Sequence, residues 1–168
     1  MEQINKKLTN KQKEFFNNLS IHIDRPIYFY GSIYRADYFP GKSDIDIDIF
    51  TDNETSTIQM LCNFLNISRN EFKKSFYKIN STVVRGFKGK YKDANIELEI
   101  SIYNNKYKTI VLDEHNKAKC LPFYISIILV IVKFFYYNLG IISNDIYKRI
   151  KLNLINPGSE FKFILAYS

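Results

Sequence analysis

From Asp44 to Ile49 the chain alternates Asp with Ile without a break, the two-residue period of a β-strand with one polar and one apolar face. The same alternation returns over Ala94 to Tyr103, "ANIELEISIY", with Glu97, Glu99 and Ser101 on one face and Ile96, Leu98, Ile100 and Ile102 on the other. Ile27 to Tyr30 is a further short β-rich run, and strands are expected near Phe76 to Phe87 and over Thr109 to Leu112. Helical spacing marks about Lys6 to Ser20 and, behind a cap at Asp52 or Asn53, a stretch to Leu65 with Ile58, Leu61, Cys62 and Leu65 on one side. Gly31-Ser32 opens a segment containing Arg35 that is expected to make two helical turns before Pro40-Gly41 breaks it. A last helix is expected over Asp145 to Leu154, ended by Asn156-Pro157-Gly158. This order predicts an α/β (α+β) fold, a mixed β-sheet with helices packed on it.

Leu121 to Ile142 supports two readings. The run is long and apolar enough to enter a bilayer, and its one central lysine, Lys133, costs only about 2.5 to 3.5 kcal/mol on insertion scales. Pro122 at its start and Gly140 near its end mark instead a helix of ordinary globular length, and a sheet with apolar faces needs such a cover. The core helix is the favoured reading.

Three carboxylates on one strand face repel one another unless a cation sits among them. A solvated edge strand would tolerate them. A site for hard divalent cations would use them, because Asp44 and Asp46 stand at i and i+2. Upstream, Gly31-Ser32 at the mouth of a helix offers backbone N–H groups and a hydroxyl to phosphate oxygens. Asp48 lies about 7 Å beyond Asp46 along a strand. It reads as a solvated or lysine-paired carboxylate at the rim.

Gly31-Ser32, followed after eleven residues by Asp44-Ile45-Asp46-Ile47, resembles the signature of the DNA polymerase beta superfamily of nucleotidyltransferases. The resemblance implies that Gly31 and Ser32 hold a nucleoside triphosphate, with Ser43, Lys42 or Arg35 nearby as phosphate partners, and that Asp44 and Asp46 ligate two Mg²⁺ or Mn²⁺ ions. It also demands a third carboxylate on a later strand. Either Glu97 or Glu99 satisfies the apolar-acid-apolar pattern, and Glu99 is preferred because a longer apolar run follows it. The family more often has Asp there. The implied reaction is transfer of an NMP from an NTP to an acceptor hydroxyl, with two ions about 3.5 to 4 Å apart. The acceptor, whether nucleic acid, protein or a small molecule, stays open. The alternative is a silent module of this fold that binds nucleotide, RNA or a protein partner.

At 168 residues and 46% apolar composition the chain is expected to be one domain, with a core of about residues 20–112 and a C-terminal helical part of about 121–156. The net charge of +7 suits nucleic acid, although AT-rich coding also enriches lysine. "RGFKGKYK", Arg85 to Lys92, reads as a hairpin with a solvated tip or as the lining of a nucleotide path. Cys62 and Cys120 stand too far apart in sequence, and without a CxxC partner, to suggest a zinc site or a disulfide framework, which fits a reducing, cytoplasmic location. No apolar signal-peptide region appears in the first residues. His22 and His115 have no Cys or His at ligand spacing, and neither is expected to be catalytic.

Overall fold

The computed structural model describes residues 6–119 and 121–155. Helix α1 (Asn10–Ile23) leads into β1 (Ile27–Tyr30), a single 3₁₀ turn (Gly31–Tyr34) and β2 (Ile45–Thr51). Helix α2 (Glu54–Leu65) follows, then β3 (Lys73–Ile79), β4 (Thr82–Lys92) and β5 (Glu97–Asn104). Helices α3 (Lys108–Lys119), α4 (Phe123–Phe134) and α5 (Asn144–Ile155) complete the described chain. The strands form one mixed sheet in the order β1-β2-β5-β4-β3, with β2 and β5 parallel and the other pairs antiparallel.

The alternation in β2 and β5 decides what each sheet face meets. Ile45, Ile47, Ile49, Leu98, Ile100 and Ile102 share one core with Phe16, Leu19 and Ile23 of α1 and Ile58, Leu61, Cys62 and Leu65 of α2. Burying such a side chain contributes about 1.5–3 kcal/mol. On the opposite face the register aligns Tyr30, Asp46, Glu99 and Lys90 in one row, and Tyr28, Asp48, Ser101 and Lys88 in the next. Further along, Phe50, Tyr77, Ile79, Val84 and Tyr103 form a second core with Val111 of α3. One end of this face is therefore sealed by α3 and the other carries carboxylates.

Four local expectations are corrected. The strand expected over Thr109 to Leu112 lies inside α3, where Val111 is needed to cover the second face, so tertiary burial overrides β-propensity. The helix expected from Lys6 to Ser20 starts at Asn10, because Thr9 and Gln12 make a reciprocal capping box, and it runs on to Ile23. The two-turn helix expected through Arg35 is only the 3₁₀ turn, since Arg35 has extended backbone with φ −108° and ψ 165°. "RGFKGKYK" is no hairpin tip. It lies within β4, and the β3–β4 reversal falls at Asn80-Ser81, where Asn80 adopts φ 52°. The helix stop expected at Asn156-Pro157-Gly158, and Cys120, fall outside the described residues.

Helix α4 begins after Pro122 and passes through a π-helical turn (Phe135–Leu139) to Gly140, which adopts φ 62°. Among the described residues no helix is long and apolar enough to cross a membrane. The lysine that made the segment ambiguous is 1% exposed. Its Nζ lies 3.0 Å from Asp37 Oδ2 and donates to the Asp37 carbonyl at 2.7 Å and to Ser43 Oγ at 3.5 Å. Arg35 grips the same carboxylate with two N–H groups, Nε at 2.8 Å and Nη2 at 3.1 Å. One buried anion thus joins α4 to the loop that leads into β2.

This cluster holds two cations against one carboxylate, which orders the effects of its variants. Lys133→Met leaves the Arg35–Asp37 pair balanced, whereas Asp37→Asn strands two buried cations. Asp37→Asn is therefore expected to cost about 3–5 kcal/mol and Lys133→Met distinctly less, measured by urea unfolding. The reverse order would contradict the assigned charge balance.

Candidate functional site

The site begins with a close approach of backbone to carboxylate. Gly31 has φ +73°, and a Cβ there would lie 2.0 Å from Asp46 Oδ2. Only glycine fits, because Asp46 fills the space a side chain would need and the backbone is left-handed. Ser32 follows, 2% exposed, and its carbonyl accepts from the Arg35 N–H at 2.9 Å. The loop then closes on itself where the Ser43 N–H donates to the Phe39 carbonyl at 2.9 Å and Ser43 Oγ accepts from the Phe39 N–H at 3.2 Å. Asp44, half-buried, is delivered just ahead of β2.

Electrostatics single out Asp46. Burial, then the charge of Asp44 and more weakly that of Glu99, raises its carboxyl to about 7, with Lys151 and Lys88 opposing. Glu99, directly level with Asp46, is held by Lys88 Nζ at 2.5 Å, with Lys90 Nζ at 3.7 Å. Burial opposes the Lys88 charge, yet Glu99 outweighs it and holds the ammonium above its ordinary range. In the neighbouring cluster burial opposes ionisation of Asp37, but the Arg35 hydrogen bonds and the Lys133 charge outweigh it and hold that carboxyl below its ordinary range. Lys133 shifts downward, chiefly through burial, with the Lys151 and Arg35 charges adding to the shift and Asp37 opposing it. We assign Asp37 as ionised, since two cationic partners grip it.

The structure brings Gly31, Ser32, Ser43, Asp44, Asp46 and Glu99 to one end of the β2–β5 pair. It does not bring the others in equally. Glu97 points to an exposed partner, Lys92 Nζ, at 2.6 Å. Arg35 is 6% exposed and engaged by Asp37, and Lys42 is exposed with its Nζ donating to Asn138. Among the described residues no three His, Cys, Asp or Glu side chains converge as a ready metal cage. The donors at this end are hard carboxylate oxygens, which suit Mg²⁺ or Mn²⁺, and the Gly31 cradle keeps Asp46 free of steric competition.

Asp48 is not the rim carboxylate expected. It is 0% exposed, and its Oδ2 lies 2.9 Å from His115 Nδ1, an ion-pair distance without hydrogen-bond alignment. Burial raises its carboxyl and His115 opposes that shift. The His115 ring stacks on Tyr30 with centroids 4.2 Å apart, and the Tyr30 hydroxyl lies 3.2 Å from Ser101 Oγ. His115 thereby fastens α3 beside the site. Sequence reasoning also missed Asp37, Lys133, Tyr137 and Tyr147. The last two are tyrosines on the C-terminal helical segments, raised by burial first and by the Asp44 charge in part, Tyr147 to about 12. A lone lysine inside an apolar run was the available signal for Lys133.

No family model matches the chain, and no curated protein does. Solved structures align with the chain at low identity. The chain is 16% identical to the Elizabethkingia meningoseptica CdnE cyclic dinucleotide synthase solved with GTP and Apcpp, over 89% of this chain and 68% of that one, with a TM-score of 0.43. The GLD-2/RNP-8 complex aligns at 11% identity and TM-score 0.42, over 82% of this chain and 51% of the other. The Cid1 poly(U) polymerase with MgGTP bound aligns at 17% and 0.40, over 80% and 45%. The chain spans about half the length of the last two. Likenesses at these scores assign no role to any residue here.

Two outcomes follow from the geometry. The folded Asp46 carboxyl stands at about 7 against an ordinary 3.8, so the folded state loses stability as pH rises from about 4 to 7 and keeps it below. Asp46→Asn removes this penalty. It should raise thermal stability at pH 8 by about 1–4 kcal/mol and leave it unchanged at pH 4; equal effects at both would contradict the shift. Gly31→Ala should destabilise by about 1–3 kcal/mol in calorimetry, and the double variant with Asp46→Gly should recover part of that loss, because the collision partner is gone.

Proposed function

We propose that this protein is a nucleotidyltransferase that moves an NMP from an NTP to an acceptor hydroxyl. The observation that carries the reading is Asp46, seated against the Gly31 backbone and level with Glu99 in the parallel register, with its carboxyl pushed up by burial and by Asp44 further than Lys151 and Lys88 pull it down. Asp44, Asp46 and Glu99 would hold Mg²⁺ or Mn²⁺, and Ser32 with the Gly31 backbone would receive the terminal phosphates. Bound divalent ions supply charge neutralisation and a more acidic acceptor hydroxyl. The chain's own groups orient the triphosphate and withhold water, so rate comes from positioning and electrostatics. Ser43, fixed by Phe39 and Lys133, holds Asp44 in place. Lys42, at the exposed edge of the same loop, would meet the outer phosphates. Arg35 would act through Asp37, on the loop's shape.

One observation favours a second reading, nucleotide binding without turnover. Glu99 is already neutralised by Lys88 at 2.5 Å, so completing a metal site requires that pair to open. Incubation with each labelled NTP, Mg²⁺ or Mn²⁺, and separate RNA, protein and small-molecule pools decides between them. Transfer to one pool, lost by about 100-fold or more in Asp44→Asn and Asp46→Asn variants that stay folded by circular dichroism, is the expected result. NTP binding with no labelled product in any pool would favour the silent module. Glu99→Gln should abolish transfer, whereas Glu97→Gln should change it by no more than about tenfold, or 1.4 kcal/mol. The opposite pattern would shift the third carboxylate by two residues along β5, and two active variants would remove it.

A further inference from the structure

On the sheet face opposite the carboxylates, where β5 ends and α2 begins, lies a cavity of about 300 Å³. Lys74, Arg85 and Lys106 line it together with Phe76, Phe87 and Tyr107, and the one carboxylate among its lining residues is that of Glu54. The register explains the arrangement. Lys74 stands directly opposite Phe87, and Phe76 directly opposite Arg85, so cations and rings alternate across the β3–β4 pair. Lys106 Nζ lies 5.0 Å from the Tyr107 ring centroid, giving the third ring a cation as well. None of the three cations forms an ion pair with a described residue. By contrast Lys88, Lys90 and Lys92, on the other face of β4, are paired with Glu99 or Glu97.

The same strand therefore neutralises its lysines on one face and leaves its cation free on the other. Cations gathered around one cavity repel, a cost that a bound anion removes. Rings half-buried beside cations suit a flat ring stacked on an aromatic, with its phosphate drawn to Lys or Arg. The volume is at the lower bound for small-ligand pockets. Asn104, in the lining, lies five residues along β5 from Glu99, about 16 Å away.

We propose that this cavity is a second ligand site, separate from the carboxylate site, that takes a nucleoside phosphate, either free or as the end of a single strand. The inference does not rest on the transfer reading, and it stands if the carboxylates prove silent.

The test is equilibrium binding of labelled AMP, ATP and a twelve-nucleotide single-stranded RNA by filter retention in EDTA, using the full chain carrying Asp46→Asn. EDTA and that substitution remove metal-dependent binding at the other site. Saturable binding is expected, weakened at least tenfold by Arg85→Glu and by Lys106→Glu but less than twofold by Lys78→Glu. Lys78 is an exposed lysine of β3 outside the cavity, so it controls for net charge. Tighter retention of the RNA than of AMP and ATP identifies a strand as the source, and the reverse identifies free nucleotide. Three results would overturn the proposal: no retention of any probe at millimolar concentration, equal losses in Lys78→Glu and Arg85→Glu, or full competition by tripolyphosphate at the nucleotide's own affinity. The last would leave the rings without a role. Circular dichroism of the two cavity variants and a conservative Arg85→Lys, expected to retain most binding, separate lost affinity from lost fold.

Discussion

The arrangement of the candidate site depends on one buried anion. Asp37 is fully sealed from solvent and holds Arg35 from its own loop and Lys133 from α4. A buried ion pair is weak support for stability, because desolvation offsets most of its attraction. Its value here is in specifying an arrangement. Lys133 reaches both the Asp37 carbonyl and Ser43 Oγ, so one ammonium fixes the loop at two points six residues apart. Asp44 is the next residue. Beside that tie, the loop is held by its own turns, by the Lys42 Nζ donation to Asn138 and by the Lys7 Nζ donation to the Arg35 carbonyl at 2.7 Å.

Around this anchor the molecule separates two electrostatic environments only a few residues apart. At Asp37 the cations are in excess and the carboxylate is stabilised in its charged form. At Asp46 burial, with the charges of Asp44 and Glu99, outweighs Lys151 and Lys88 and drives the group toward neutrality. Two carboxylates with opposite shifts on one loop and its strand are what a cation-seeking site beside a structural ion pair would show. Lys88 restrains Glu99 meanwhile, which relieves its repulsion with Asp46. The same lysine is the group that ligand charge would have to displace.

Much of this was legible in the sequence, for reasons tied to particular residues. Alternation gave β2 and β5 their faces because the period of a strand is two and the Ile rows must be buried. A cap at Asp52 or Asn53 placed the start of α2, and Asn53 is the residue that caps it. The pairing of Asp46 with Glu99 rather than Glu97 was preferred on the length of the apolar run, and the parallel register aligns those two residues. What escaped was contact between segments distant in sequence. Asp37 meets Lys133 across 96 residues to its carbonyl, and Asp48 meets His115, so a reading of spacing alone left Asp48 at the rim and Lys133 as an insertion cost. Thr109 to Leu112 was misread for the same reason, since propensity cannot see that a second sheet face needs covering.

The central claim is that the carboxylates at the start of β2 and β5 collect a divalent cation together with a triphosphate. Paramagnetic broadening of backbone amides by Mn²⁺, titrated in the presence of a non-hydrolysable NTP, tests it without reference to any acceptor. The account predicts broadening centred on Ser32, Asp44, Asp46 and Glu99 at substoichiometric Mn²⁺, and its loss in Asp46→Asn. Broadening scattered over exposed acidic residues such as Asp52, Glu71 and Asp145, and unchanged by that substitution, would contradict it.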